Sequence, residues 1–274
     1  MRKSLILFLL PLFIAITFLY SFILWNLYYS LTNYSILTPY ESFVGFNTYA
    51  QLFSDPLFQE AFAKTLLWIF ILVSLGNVVG LVVASLIYNL ESPRVRNMLT
   101  AYFIYPLSLS LVTTGIIWRW LLDSDRGFGS LLGNPLYGGN AFWSISLVSV
   151  WVYSGLAVLF YLAMFYNVEK AQLESAQVDG ASRLYTMLKI VIPQSRQSFI
   201  ISTIFFTLFA IQMFDLPYSI LFINPNVMTL VMYTFMKFTA FYLAVASATA
   251  IVIIILSAVI VIPYSMFSLR RWIR

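Results

Sequence analysis

The chain has 274 residues, of which 61% are hydrophobic and only 9% charged, with a mean hydropathy of +0.90 and a formal net charge of +5. A soluble domain of this length needs far more charge to cover itself, whereas a bilayer asks for apolar helices of about 20 residues, so the composition points to a polytopic membrane protein. Cysteine and histidine are both absent, which leaves no material for a disulfide framework, a thiolate or imidazole metal site, or His-based acid/base catalysis.

Six apolar runs are long enough to span, at about 4–31, 65–89, 98–122, 142–166, 199–222 and 241–267. Inside lipid every backbone group must find its partner within the segment, so the runs are predicted to be helices and the fold all-α, a single transmembrane domain over 1–274. The first run follows Arg2 and Lys3 as a secretory signal would. It is too long for one and lacks a small-residue cleavage pattern, so it reads as a retained span. On the second run Gly76, Gly80 and Ala84 form a small-residue ridge suited to close helix contact, either within the molecule or between subunits.

Lys and Arg set the orientation. With the N-terminus in the cytoplasm, Arg2, Lys3, Arg94, Arg96, Lys170, Arg183, Lys189, Arg196, Arg270, Arg271 and Arg274 fall inside, and Lys64, Arg119, Arg126 and Lys237 outside. The positive-inside rule favours that arrangement, and six spans then place the C-terminus in the cytoplasm as well. The net positive charge needs no nucleic acid, because it gathers beside the cytoplasmic leaflet.

Between the fourth and fifth runs lies a polar, charged stretch, ESAQVDGASRLYTMLKIVIP, from Glu174 to Pro193. Asn167 is predicted to cap a helix over 168–178, with Glu169 in its first turn, and Gly180 to end it in the left-handed conformation. A second helix over 181–191 precedes Pro193, whose ring disfavours helix at Ile192 and puts a corner before the fifth span. The plainest reading is an interfacial hairpin that anchors the bundle. The register is more specific than that. Glu174, Ala176, Gly180, Ile190 and Pro193 match the E-A-A, three free positions, G, nine free positions, I-x-L-P signature of the loop by which an ATP-binding-cassette importer permease couples to its ATPase. Ser175 stands for the second Ala and Ile192 for the Leu.

The chain thus resembles these importer permeases, and within them the maltose-type carbohydrate group. Further segments carry the likeness: SLTNY followed by Phe43 to Phe53 (FVGFNTYAQLF), Pro106 and Trp118 in the third run, and Phe209 to Tyr218 (FAIQMFDLPY) in the fifth. Where that group carries a Gly-Gly-Gly-Pro run after the fifth helix, this chain has INPN at Ile223 to Asn226. The resemblance implies a coupling loop over about 168–196 with Glu174, Ala176, Asp179, Gly180, Ile190 and Pro193 as its residues. It also implies a second, different permease subunit, two ATP-binding-cassette ATPase subunits and an extracellular solute-binding protein. No GxxxxGK[ST] loop occurs and no Gly precedes a Lys, so ATP and Mg are expected on the partner ATPases and no cofactor on this chain.

A substrate path is expected near mid-bilayer, where the fourth run reaches Tyr153 and the fifth Phe209 to Ile211. Ser149 and Tyr153 share one helix face, Phe206, Phe209 and Met213 another, with Gln212 and Asp215 beside them. Aromatic faces with hydroxyl, amide and carboxylate groups suit a sugar. Equally open is core packing by the aromatics, with Ser149 bonded to its own backbone. Asp215 is a lone carboxylate in an apolar run and is expected to face a cavity or a partner. No basic residue lies deep in any run, which favours a neutral sugar or oligosaccharide carried by alternating access. The alternative is glycerol phosphate or another small polar solute, its cation supplied by the second permease. An intramembrane aspartyl enzyme would need paired aspartates, and a lone secondary transporter internal repeats; neither pattern is visible.

Overall fold

A computed structural model describes residues 2–37 and 40–269 and is 78% helical. Among the described residues an isolated bridge pairs Thr32 with Phe43, and no strand forms. The all-α expectation holds. In chain order the helices are α1 (Arg2–Ser30), α2 (Asn47–Ser54), α3 (Pro56–Ile71), α4 (Asn77–Tyr88), α5 (Pro93–Ser108), α6 (Leu111–Leu122) and α7 (Asn140–Tyr166). There follow α8 (Lys170–Val178), α9 (Arg183–Thr186), α10 (Ile192–Gln194), α11 (Arg196–Ile211), α12 (Asp215–Leu221), α13 (Leu230–Thr239) and α14 (Leu243–Leu269). Arg270, Arg271 and Arg274 of the inner charge set lie outside the described residues.

Among the described residues four helices are long and apolar enough to cross a bilayer, and two bent pairs make up to six if each is one span. The pairs correct the sequence expectation of six unbroken runs. α5 and α6 meet at 98°, and α11 and α12 at 42°. At the first break Leu109 and Ser110 are both extended, so the ladder stops and restarts. At the second, Phe214 leaves the helical region, and Pro217 offers no N–H to the Met213 carbonyl. The Thr229 hydroxyl donates to that carbonyl instead, at 2.7 Å. The second run also starts earlier than its apolar content suggests. Pro56 stands at the head of α3 and the Leu57 amide donates to Asp55 Oδ1 at 2.9 Å, so the helix is primed before Glu60 and Lys64 dilute its hydropathy.

The chain packs as two compact units. One contains Ala63–Thr229 and the stretch from Ser257. Here α3 runs into α4 through a π-turn, Leu72–Gly76, and α4, α5 and α11 all pack on α7, the most buried of the long helices. The glycine ridge is an internal contact. A side chain at Gly80 would run into Ala157 of α7, and one at Gly76 would come within 2.8 Å of the Phe206 ring of α11. Just beyond the π-turn the buried Asn77 joins three helices: its Oδ1 accepts from Tyr161 Oη at 3.0 Å and from Ser202 Oγ, and its Nδ2 donates to the Val73 carbonyl at 2.7 Å. A lone amide in a span is thereby satisfied on both sides.

The other unit holds the chain up to Phe62 together with Leu230–Leu256. α1 presents Leu12, Phe18 and Trp25 outward, more than half exposed, as a helix in a hydrocarbon medium does. The connection after it folds back by main-chain bonds, with the Ala244 amide donating to the Tyr34 carbonyl at 2.9 Å and the Thr48 hydroxyl to the Thr32 carbonyl at 2.8 Å. Asp55 ties the start of α3 to α13, accepting from Tyr233 Oη at 2.7 Å and pairing with Lys237 Nζ at 3.1 Å. Burial works against that carboxylate, but the Tyr233 and Lys237 bonds and the Leu57 amide outweigh it and hold Asp55 below the ordinary carboxylate range.

Candidate functional site

The hairpin between α7 and α11 is built from two arms and one turn. α8 ends in a Schellman motif: the Gly180 amide donates to the Gln177 carbonyl at 3.0 Å, the Ala181 amide to the Ala176 carbonyl at 2.9 Å, and Gly180 takes φ +79°. The Ala-x-x-x-Gly spacing of the motif is therefore the spacing of one helix stop. The return arm begins at Ser182, whose hydroxyl caps α9 by accepting from the Tyr185 amide at 3.2 Å. Two details differ from the sequence reading. Asn167 is the C-cap of α7 and not an N-cap, and α8 starts at Lys170 after Glu169. Ile192 is helical, with φ −62° and ψ −45°, because a π-turn over Met187–Val191 widens the ladder just before Pro193, which sits in the first turn of α10 where its missing N–H is least costly. The corner falls at Ser195 instead.

Four of the six motif residues meet. Ala176, Asp179, Ile190 and Pro193 line one open cleft of about 620 Å³ between the arms. Glu174 is exposed on α8 outside it, and Gly180 makes the turn at its end. The cleft also gains residues that the motif does not contain. Lys189 lines it, and Gln194 Nε2 donates to Gln172 Oε1 at 2.8 Å, bridging return arm and outgoing arm. Gln194 directly follows the motif proline, a position whose role only the fold discloses. An open cleft with apolar walls, one carboxylate and one ammonium can grip a protruding element of another protein.

The transmembrane candidates separate into three sets. Tyr153 of α7 and Phe209 of α11 are stacked, ring centroids 4.7 Å apart and 19° from parallel. Gln212, the C-cap of α11, and Asp215, the first residue of α12, are exposed at the helix break. Ser149 and Phe206 are fully buried; Ser149 Oγ donates to its own Ile145 carbonyl at 2.9 Å, and Phe206 packs toward Gly76. Asp215 stands in the first turn of α12, where the helix dipole favours a negative charge. The break leaves the Gln212 and Asp215 side chains exposed, which is how discontinuous helices make polar surface at membrane depth.

Comparison with known proteins agrees with this architecture. Residues 76–273 match the family described as "Binding-protein-dependent transport system inner membrane component". The chain is 37% identical to the "Glucose import system permease protein GlcT" of Saccharolobus solfataricus, over 100% of this chain and 99% of that one. It is 27% identical to the "Xylose/arabinose import permease protein XacH" of Haloferax volcanii, covering 90% of this chain and 82% of that one. In structure it is similar, with a TM-score of 0.79 and 21% identity over 98% of this chain and 96% of the other, to a chain of a bacterial ABC transporter involved in import of the acidic polysaccharide alginate. The chain belongs to the binding-protein-dependent transport inner membrane components.

Proposed function

We propose that the chain is the transmembrane permease subunit of an ATP-binding-cassette importer that takes up a neutral sugar or oligosaccharide by alternating access. The observation that carries the reading is the cleft in which Ala176, Asp179, Ile190 and Pro193 converge beside the Gly180 turn, because separate motif residues gathered at one docking surface are what a coupling loop requires. The likeness to the glucose permease over the whole chain supports the solute class. Residues 1–274 act as one permease domain in the cell membrane, with both termini and the hairpin cytoplasmic. Two partner ATPases bind ATP and Mg, a second permease subunit completes the translocation path, and an extracellular binding protein delivers the solute.

In this reading ATP binding draws the ATPases together, the hairpin follows as a docked unit, and the spans open outward to receive the sugar; hydrolysis returns the path to the inside. Tyr153 and Phe209 offer stacking surface, and Gln212 and Asp215 offer hydrogen bonds to hydroxyls. Ser149 and Phe206 would have to be uncovered by that motion to touch the solute. A second reading, an anionic solute such as glycerol phosphate, draws on the 27% identity to a glycerol-3-phosphate permease of Pectobacterium atrosepticum over 61% of this chain. The test is uptake into proteoliposomes holding the complete transporter, with ATP inside and binding protein outside. Saturable glucose or pentose uptake that glycerol phosphate does not inhibit is the expected result. Uptake of glycerol phosphate alone would select the second reading, and ATP-independent uptake would overturn both.

A further inference from the structure

Two cavities share a wall beside the hairpin, on the side away from the motif cleft. The first, about 380 Å³, lies between the end of α4, the start of α5 and the hairpin arms, and both Arg96 and Arg183 line it. The second, about 440 Å³, runs along Leu81, Val82 and Leu86 of α4 and Leu184, Leu188 and Ile192 of the return arm, and the surface it exposes is almost wholly apolar. Asn89, Arg183 and Met187 belong to both. A polar, cationic chamber thus adjoins an apolar groove at the end of a membrane helix.

Both guanidinium groups have one partner each. Arg96 lies over the Tyr166 ring, 5.6 Å from its centroid, which leaves its N–H fork unspent on any carboxylate among the described residues. Arg183 Nη2 donates to Glu91 Oε1 at 2.9 Å. An arginine carries five N–H donors, so one carboxylate bond leaves most of the fork for a second acceptor. Two guanidinium groups and one carboxylate line the chamber, a balance that favours an anion.

A soluble anion would fill the chamber and leave the groove bare, with Leu86, Leu184 and Leu188 each more than half exposed. An apolar helix would cover the groove and leave the chamber's charge unanswered. A molecule with a phosphate head and a hydrocarbon chain fills both. We propose that the paired cavities hold one anionic phospholipid, its phosphate between Arg96 and Arg183 and one chain along α4. Such a lipid would join the second span to the moving hairpin. The site requires the hairpin to lie at a membrane surface, not that it docks an ATPase, so it stands or falls separately from the transport function.

The full chain, purified and delipidated, is titrated with phosphatidylglycerol, with phosphatidylcholine of the same chains and with inorganic phosphate, while native mass spectrometry counts bound lipid and thermal unfolding reports protection. One phosphatidylglycerol per chain with a rise in melting temperature is expected, and neither phosphatidylcholine nor phosphate should reproduce it. Removing each guanidinium, in Arg96→Gln and Arg183→Gln, should weaken binding about fivefold, the effect of one basic residue at an anionic headgroup. Glu91→Gln removes the competing carboxylate and should tighten it, a gain that misfolding cannot imitate. Equal binding of the two lipids, the same protection by inorganic phosphate, or affinities untouched by all three substitutions would overturn the proposal. Protection that a second permease chain gives and phosphatidylglycerol does not would do so as well, assigning the groove to a protein helix.

Discussion

At Gly180 a left-handed φ of +79° coincides with empty space, since nothing lies within 4 Å of where a Cβ would stand. Within the chain, any effect of substitution there comes from the backbone alone. Left-handed conformation costs an L-residue roughly 1–2 kcal/mol, more for a β-branched one, while Asn tolerates it. Gly180→Val should therefore lower uptake and the ATPase stimulation that accompanies it, and Gly180→Asn should retain most of both. If the two variants behave alike in the reconstituted transporter, the turn's conformation is not what coupling uses. Tyr153 and Phe209 call for a different measurement, because their stack serves packing as well as any solute. Tyr153→Ala and Phe209→Ala each forfeit a ring contact of about 0.5–1.5 kcal/mol. Gln212→Leu and Asp215→Leu leave solute hydroxyls unpaired at about 1–3 kcal/mol. The half-saturation concentration of uptake should rise in all four while basal ATP hydrolysis persists, and unchanged kinetics would return these residues to ordinary packing.

Elements show where sequence reading ends. Hydropathy located six apolar runs, because lipid demands continuous apolar side chains and the composition records them. It could not see the breaks at Leu109–Ser110 and Met213–Phe214, because a break is a backbone event inside an unbroken apolar stretch, marked only by Pro106 and Pro217. The motif register likewise identified the hairpin and the left-handed glycine. It misjudged Ile192, since a local rule about residues before proline gives way when a π-turn supplies the room. The junction of α2, α3 and α13 was not legible at all, as Asp55 meets Tyr233 and Lys237 from far along the chain. That junction titrates. The folded Asp55 pKa lies below the unfolded value of about 3.9, so its contribution is present above that value and is lost as pH falls through the folded one. Thermal stability of the full chain should decline on acidification below about pH 4, and Asp55→Asn should be less stable at neutral pH and flatter in acid. An equally steep acid profile in the variant would place the effect at other carboxylates.

For the molecule as a whole, the broken helices make sidedness a sharper question than charge alone can answer. Arg94, Arg96, Lys170, Arg183, Lys189 and Arg196 gather on segments assigned to the cytoplasm, and Lys64, Arg119, Arg126 and Lys237 on those assigned outside. This division assumes that each bent pair crosses. Were α5 and α6, at 98° to each other, to dip in and return, the loop after Leu122 would share a side with the loop before Pro93. Every later segment would then change sides, and the hairpin would face away from any cytoplasmic ATPase. Because the chain has no native cysteine, single substitutions report without background. Ser54→Cys, Ser92→Cys, Ser130→Cys and Ser182→Cys all place the thiol at exposed positions. In sealed cells a membrane-impermeant maleimide should label residues 54 and 130 and spare 92 and 182 until the membrane is opened. Protection of 92 together with 130 would make the α5–α6 pair re-entrant, and labelling of 182 from outside would remove the ground on which the hairpin is assigned to coupling. Protection of 92 and 182 with reaction at 130 would instead mean that a helix pair bent by nearly a right angle still carries the chain across the bilayer.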